Sequence, residues 1–137
     1  MSSFKVFDIA GSGMSAQSLR MNLVASNLAN VDAVSSSTEA TYRSRQPVFQ
    51  TVLDQQNPQG VATGVRMAGV VESPAPLAQE YAPHHPMADD TGYIYRPNVN
   101  PVEEMANMIS ASRSYQNNVE VINAARQMLS ALINLGR

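Results

Sequence analysis

The chain has 137 residues, a formal net charge of -2 and no cysteine. These values exclude a disulfide framework, a thiolate metal site and a Cys nucleophile, and they offer no basic surplus for a phosphate backbone, so nucleic acid is not an expected partner. Charged residues make up 15%, against roughly 25% in ordinary soluble domains, and amide and hydroxyl side chains take their place. Such a surface suits permanent burial against neighbours, because amides are desolvated at lower cost than charges.

The N-terminal stretch MSSFKVFDIAGSGMSAQ carries one Lys and is interrupted by Asp8, Ser12 and Ser15, so it lacks the apolar core of a cleavable leader. No segment approaches the roughly 20 apolar residues of a membrane span. Export, if it occurs, is expected without a cleavable signal, and no direct membrane span is expected. Gly11 and Gly13 predict a break or hinge, with Ser12 or Ser15 capping a helix over residues 14–31. Met14, Met21 and Leu28 recur there every seventh residue, with Val24 and Val31 between them. A step of about 100° per residue puts Leu19 and Leu23, with Ala16 and Asn30 beside them, on nearly the opposite face.

The centre is less regular. Val48 to Leu53 and Val61 to Val71 are rich in β-branched and apolar residues, with Gly60 and Gly64 as punctuation, and predict a small twisted hairpin. Residues 74–101 carry Pro74, Pro76, Pro83, Pro86, Pro97 and Pro101, which predict an extended return loop without long regular structure. Ser35, Ser36 and Ser37 mark another flexible stretch.

Asn100 and Pro101 then predict a helix start, with Glu103 and Glu104 beside its positive end. Met108, Tyr115, Ile122 and Leu129 form a seven-residue series, supported by Ala111, Val119, Ala125 and Ile133. Val121, Met128 and Leu135 form a second series roughly 120 to 160° around the helix. Between the two lie Asn107, Gln116, Asn117, Asn118, Asn123, Gln127 and Asn134, and Gly136 stops the helix.

The expected fold is therefore mainly α, with N- and C-terminal helices paired as a coiled coil and a small β-hairpin or irregular central insert. Its parts are residues 1–32, the N-terminal helical segment; 33–100, the hairpin and Pro-rich loop; and 101–137, the long C-terminal helix. A two-helix hairpin needs one seam per helix, and each helix has two. Met14, Met21, Val24, Leu28, Met108, Tyr115, Val119, Ile122 and Leu129 are expected inside the pair. Leu19, Leu23, Val121, Met128 and Leu135 are expected to meet other subunits, the alternative being that the second strips cover the insert or are scattered surface residues.

Chemistry is thin. His84, His85, Asp89 and Asp90, with Glu80 nearby, match no metal-ligand spacing and read as solvated loop residues. GSG at 11–13 lacks the Lys and Ser/Thr of a phosphate loop. No enzyme activity, metal or cofactor is expected.

SNLANVD at 26–32, ending a helix, resembles the Asn-Leu-Ala-Asn box of bacterial flagellar axial proteins, the rod, hook and hook-associated subunits. EEMANMISASRSYQNNVEVINAARQMLSALINLG at 103–136 is similar to their C-terminal helix; the motif positions are Asn27, Leu28, Ala29, Asn30, Tyr115, Asn118, Glu120 and Asn123. TYRSRQPVFQ at 41–50 and TGYIYRPNVNPVEEM at 91–105 narrow the resemblance to the proximal-rod type, and the length leaves no room for large outer domains. The Pro-Gly-Tyr common after the Asn box is replaced by AVSSSTEATYR at 33–43. The resemblance implies a structural subunit of a helical drive shaft in the basal body, crossing the periplasm. It implies other copies of the chain, other proximal rod proteins, the basal adapter and the distal rod protein as partners, and passage through the flagellar type III export apparatus. Residues alone leave two other readings: an independent coiled-coil adapter or export chaperone, and a small metal-dependent hydrolase using residues 84–90.

Overall fold

The computed structural model describes residues 3–53 and 62–136. Gly60 and Val61, assigned above to the hairpin, lie outside the described residues, as do Met1, Ser2 and Arg137 of the terminal segments. Six elements follow one another: α1 (Ser3–Ala29), β1 (Arg45–Leu53), β2 (Ala62–Glu72), β3 (Ala78–Tyr81), β4 (Tyr93–Arg96) and α2 (Pro101–Leu135). The two helices, of 27 and 35 residues, take up roughly half the chain.

The helices lie antiparallel. Arg20 Nη2 of α1 donates to Asn107 Oδ1 of α2 at 3.0 Å, while seven residues earlier Gly13 faces Asn118. α2 starts where the sequence places its start: the Asn100 side chain accepts from the Val102 and Glu103 amides and Pro101 opens the first turn.

The break expected at Gly11 and Gly13 is absent, and α1 runs through both. A Cβ on Gly13 would stand 2.9 Å from Asn118 Nδ2. That glycine therefore serves close approach of the helices, which offsets its low helix propensity of roughly 1 kcal/mol. Ser12 caps nothing. Its hydroxyl bonds the Ile9 carbonyl within the helix at 2.8 Å and accepts the Val65 amide of β2 at 3.1 Å.

β1 and β2 form the expected antiparallel hairpin, from Arg45↔Glu72 at its base to Leu53↔Ala62. Register shifts after Val48 and Val52 leave Ala68 and Thr63 as extra residues on β2, which raises the local twist. The hairpin lies along α1, with Gly64 so close to Ser12 that a Cβ would meet its Oγ at 2.7 Å. The expected return loop contains a second antiparallel pair instead, β3 with β4, in register from Ala78↔Arg96 to Tyr81↔Tyr93. The prolines flank these four-residue strands without interrupting them. The Arg96–Glu80 ion pair at 2.6 Å and the edge-on Tyr81–Tyr93 contact hold the pair together, and Gly92 (φ +84°) turns the chain beneath Tyr81.

The core is thin. Ala10, Ala16, Val24, Ile94, Ala111 and Ala125, with Pro97, are the buried apolar residues among those described. The chain exposes 9347 Å², whereas a folded monomer of this mass exposes about 7,000 Å².

Candidate functional site: the joint between helices and hairpin

Three segments meet at the base of the hairpin. From the last turns of α1, Asn27, 1% exposed, turns its amide onto β1. Its Nδ2 donates to the Arg45 carbonyl at 2.9 Å and to Ser44 Oγ at 3.4 Å. Its Oδ1 accepts the Arg45 amide at 3.0 Å and the Tyr42 hydroxyl at 2.8 Å. One side-chain amide thus satisfies both backbone groups of Arg45, as a neighbouring strand would.

From the segment entering α2, Asn98 does the same for the residues beside it. Its Oδ1 accepts the Ser44 amide at 2.8 Å, and its Nδ2 donates to the Ser73 and Ala75 carbonyls at 3.2 and 2.9 Å. Ser73 N–H in turn donates to the Ser44 carbonyl at 2.8 Å. Arg43 also reaches the Ser73 and Ala75 carbonyls, while Arg45 pairs with Glu72 at 3.5 Å and lies over the Tyr42 ring. Asn30 closes α1 by donating to the Ser26 carbonyl at 2.8 Å. Ser35 and Tyr95 exchange backbone bonds, tying the loop after α1 to β4 beside buried Ile94. The arrangement positions chain segments; it presents no nucleophile, base and orienting acid in sequence.

The other singled-out residues fall as follows. Val24 is buried, and Met14, Met21, Leu28, Met108, Tyr115, Val119, Ile122 and Leu129 are half-buried. Val121, Met128 and Leu135 are exposed, at 45, 63 and 82%. Leu19 is exposed and Leu23 half-buried; by the 100° step they share a face of α1 with Ser12 and Asn27, which hold the hairpin. Ala16, on that same strip, is buried. Ile133 is exposed. Of the motif residues on α2, Asn118 meets Gly13, while Glu120 and Asn123 are exposed; on α1, Ala29 is exposed.

Residues 84–90 form a turn built on Asp89. Its Oδ1 accepts from the Thr91 amide, the Thr91 hydroxyl and the Tyr93 amide at 2.9, 2.7 and 2.9 Å. The Thr91 hydroxyl first, then the Tyr93 amide, holds the Asp89 carboxyl below the usual carboxylate range. His85 Nδ1 accepts the Met87 amide at 3.1 Å. No group of three or more His, Cys, Asp or Glu among the described residues could hold a metal ion, and no described helix is long and apolar enough to cross a membrane.

Two long helices, half-buried against each other and clamped to a small hairpin by asparagine side chains, define a structural subunit. Residues 7–35 match the family described as flagella basal body rod protein, and residues 90–135 match the flagellar basal body rod FlgEFG protein C-terminal family. The chain is similar along its whole length to the flagellar basal-body rod protein FlgC of Salmonella typhimurium, 46% identical over 137 residues with all of both chains covered. It is 39% identical to that of Buchnera aphidicola subsp. Acyrthosiphon pisum (98% of each chain) and 34% to that of Borreliella burgdorferi (97% of each). The chain belongs to the flagellar basal-body rod proteins, and within them to the FlgC type. It is a structural rod subunit of the basal body and not an enzyme.

Asn98, Tyr42, Ser44 and the Ser12–Gly64 contact were not assigned from sequence. YRPNVNP marks Asn98 as part of a motif, but its partner Ser44 lies 54 positions away.

Proposed function

We propose that the chain polymerises into the helical shaft of the proximal rod and passes torque from the motor towards the hook. The carrying observation is the apolar side of α2 that α1 leaves open. Val121, Met128, Leu132 and Leu135 are exposed there, and Val6, Ala125 and Leu129 join three of them around an apolar groove of about 290 Å³. In this reading the inner seam winds the helices as a coiled coil, and the outer seam on α2 serves a neighbour. On α1, Leu19 and Leu23 offer what the hairpin leaves uncovered. The units divide near residues 32 and 100, with the asparagine joint setting the hairpin's angle to the helices.

Partners are other copies of the chain, other proximal rod proteins, the basal adapter and the distal rod protein, reached through the type III export apparatus. Contacts that repeat without closing give a helix, and close-packed contacts give the low compliance that torque needs. Before assembly the exposed seams favour partial unfolding, and ordering entropy is offset on docking.

Far-UV circular dichroism of the purified chain, set against a map of isolated basal bodies, tests this. Low helicity in solution with two long helices in the rod is the expected result. A fully helical, discrete oligomer in solution would refute folding on assembly and fit an adapter or chaperone instead.

A further inference from the structure

Glu104, in the first turn of α2, is only 5% exposed, and its Oε2 has no hydrogen-bond partner among the described residues. It lines a cleft of about 380 Å³ between α2 and β1, floored by Arg20 and Val24 of α1 and walled by Gln46, Pro47 and Phe49. Glu103 adds a second carboxylate to the lining. Neither cation of the cleft bonds Glu104 Oε2: Arg20 donates to Asn107 Oδ1 at 3.0 Å, and Arg45 pairs with Glu72 and lies over Tyr42. A buried carboxylate oxygen left without a donor is costly, and a donor entering the open cleft from outside would remove that cost.

The same chain carries a cation with the opposite deficit. Arg126, on the C-terminal half of α2, is exposed and, like Arg113, has no hydrogen bond or ion pair among the described residues; of the two, Arg126 is the one that lines a depression. The shallow depression around it is lined by Asn123, Gln127, Ser130, Ala131 and Asn134, without a carboxylate. We propose that the Glu104 cleft is a docking site for a second copy of this chain, whose Arg126 enters it and donates to Glu104. The two halves of the contact lie on different parts of α2, about 33 Å apart at 1.5 Å per residue. The contact is therefore head-to-tail and cannot be satisfied within one chain. It leaves each copy with one free cleft and one free arginine, so it propagates. The proposal rests on the rod reading above and deepens it by naming one self-contact.

The natural absence of cysteine makes the test specific. Chains carrying Gln46→Cys and Gln127→Cys singly, beside the cleft and beside Arg126, are co-expressed, and isolated basal bodies are mildly oxidised. A disulfide-linked dimer of this chain that needs both variants is the expected result. Its yield should fall roughly tenfold or more when Glu104→Gln or Arg126→Gln is added, and return with Glu104→Arg on one chain and Arg126→Glu on the other. Basal bodies that contain the chain but no such dimer would overturn the proposal and leave the rod reading intact. So would a dimer with a different protein, or a yield unchanged by Glu104→Gln. Basal bodies lacking the wild-type chain would overturn the rod reading and this contact with it.

Discussion

Asn27 and Asn98 take the amide hydrogens of two adjacent residues, Arg45 at 3.0 Å and Ser44 at 2.8 Å. One comes from the end of α1 and the other from the segment entering α2. The start of β1 is thus held from the end of α1 and from the segment entering α2, through side-chain amides whose second atoms are also used, Asn27 Nδ2 on the Arg45 carbonyl and Asn98 Nδ2 on the Ser73 and Ala75 carbonyls. Each amide is polarised at both ends, which fixes its orientation as well as its position.

Replacing Asn27 with Ala leaves the Arg45 backbone pair without that partner and the Tyr42 hydroxyl with Ser26 alone, at about 0.5–1.5 kcal/mol for each part-buried bond lost. Asn27→Ala should therefore speed proteolytic cleavage between residues 41 and 46 and abolish motility. Asn30→Ala removes one bond at the helix end and should cost about 1 kcal/mol or less. Equal cleavage rates for wild type and Asn27→Ala would refute the clamp.

The two glycines of α1 separate propensity from packing. Gly11 has nothing within 4 Å of a built Cβ, whereas at Gly13 the Asn118 amide stands at 2.9 Å. Gly11→Ala should raise helicity and stability by up to about 1 kcal/mol. Gly13→Ala should give less of that gain, and Gly13→Leu should separate the helices. Thermal release of the chain from isolated basal bodies, where both helices are formed, decides it. Equal gains for both alanine variants would mean that Asn118 moves aside freely.

Both helices and the first hairpin are legible in the sequence because their signals are local: the Asn100–Pro101 start, the seven-residue series through Met108 and Tyr115, and the β-branched runs around Gly64. Three things were not. Gly13 resembles a breaker because its reason for being glycine, Asn118, lies more than a hundred residues away. β3 and β4 are four residues each and set among prolines, too short for alternation to register. The joint was half legible: the motifs pointed at Asn27 and at the segment holding Asn98, but a buried amide that replaces a strand partner has no pattern of its own.

The Asp89 turn gives a pH prediction. Because the Thr91 and Tyr93 bonds hold its carboxyl below the usual carboxylate value, which is about 3.9 in unfolded chains, the folded turn favours the charged form. Its contribution is fully present above that value and is lost as pH falls through the lower folded pKa. Protection of the Thr91 and Tyr93 amides from hydrogen exchange, taken relative to the intrinsic rate, should fall only on acidification below about pH 4. Asp89→Asn should flatten that dependence. An exchange rate following intrinsic chemistry alone through this range would show that the charge does not hold the turn.

The exposed series on α2 separates folding from assembly. Val121 and Met128 are 45 and 63% exposed, so an Asp at either site meets water in the single chain and loses little there. Surface changes of this kind usually alter stability by less than about 0.5 kcal/mol. In a packed interface the same carboxylate is desolvated without a partner, at a cost of several kcal/mol, enough to remove a contact. Val121→Asp and Met128→Asp should therefore be exported at wild-type levels, fail to appear in isolated rods and leave cells non-motile. Normal swarming by either variant would mean that this side of α2 faces solvent in the rod, and the neighbour would then have to be sought on the Val102, Met105 and Ile109 surface, which is also exposed.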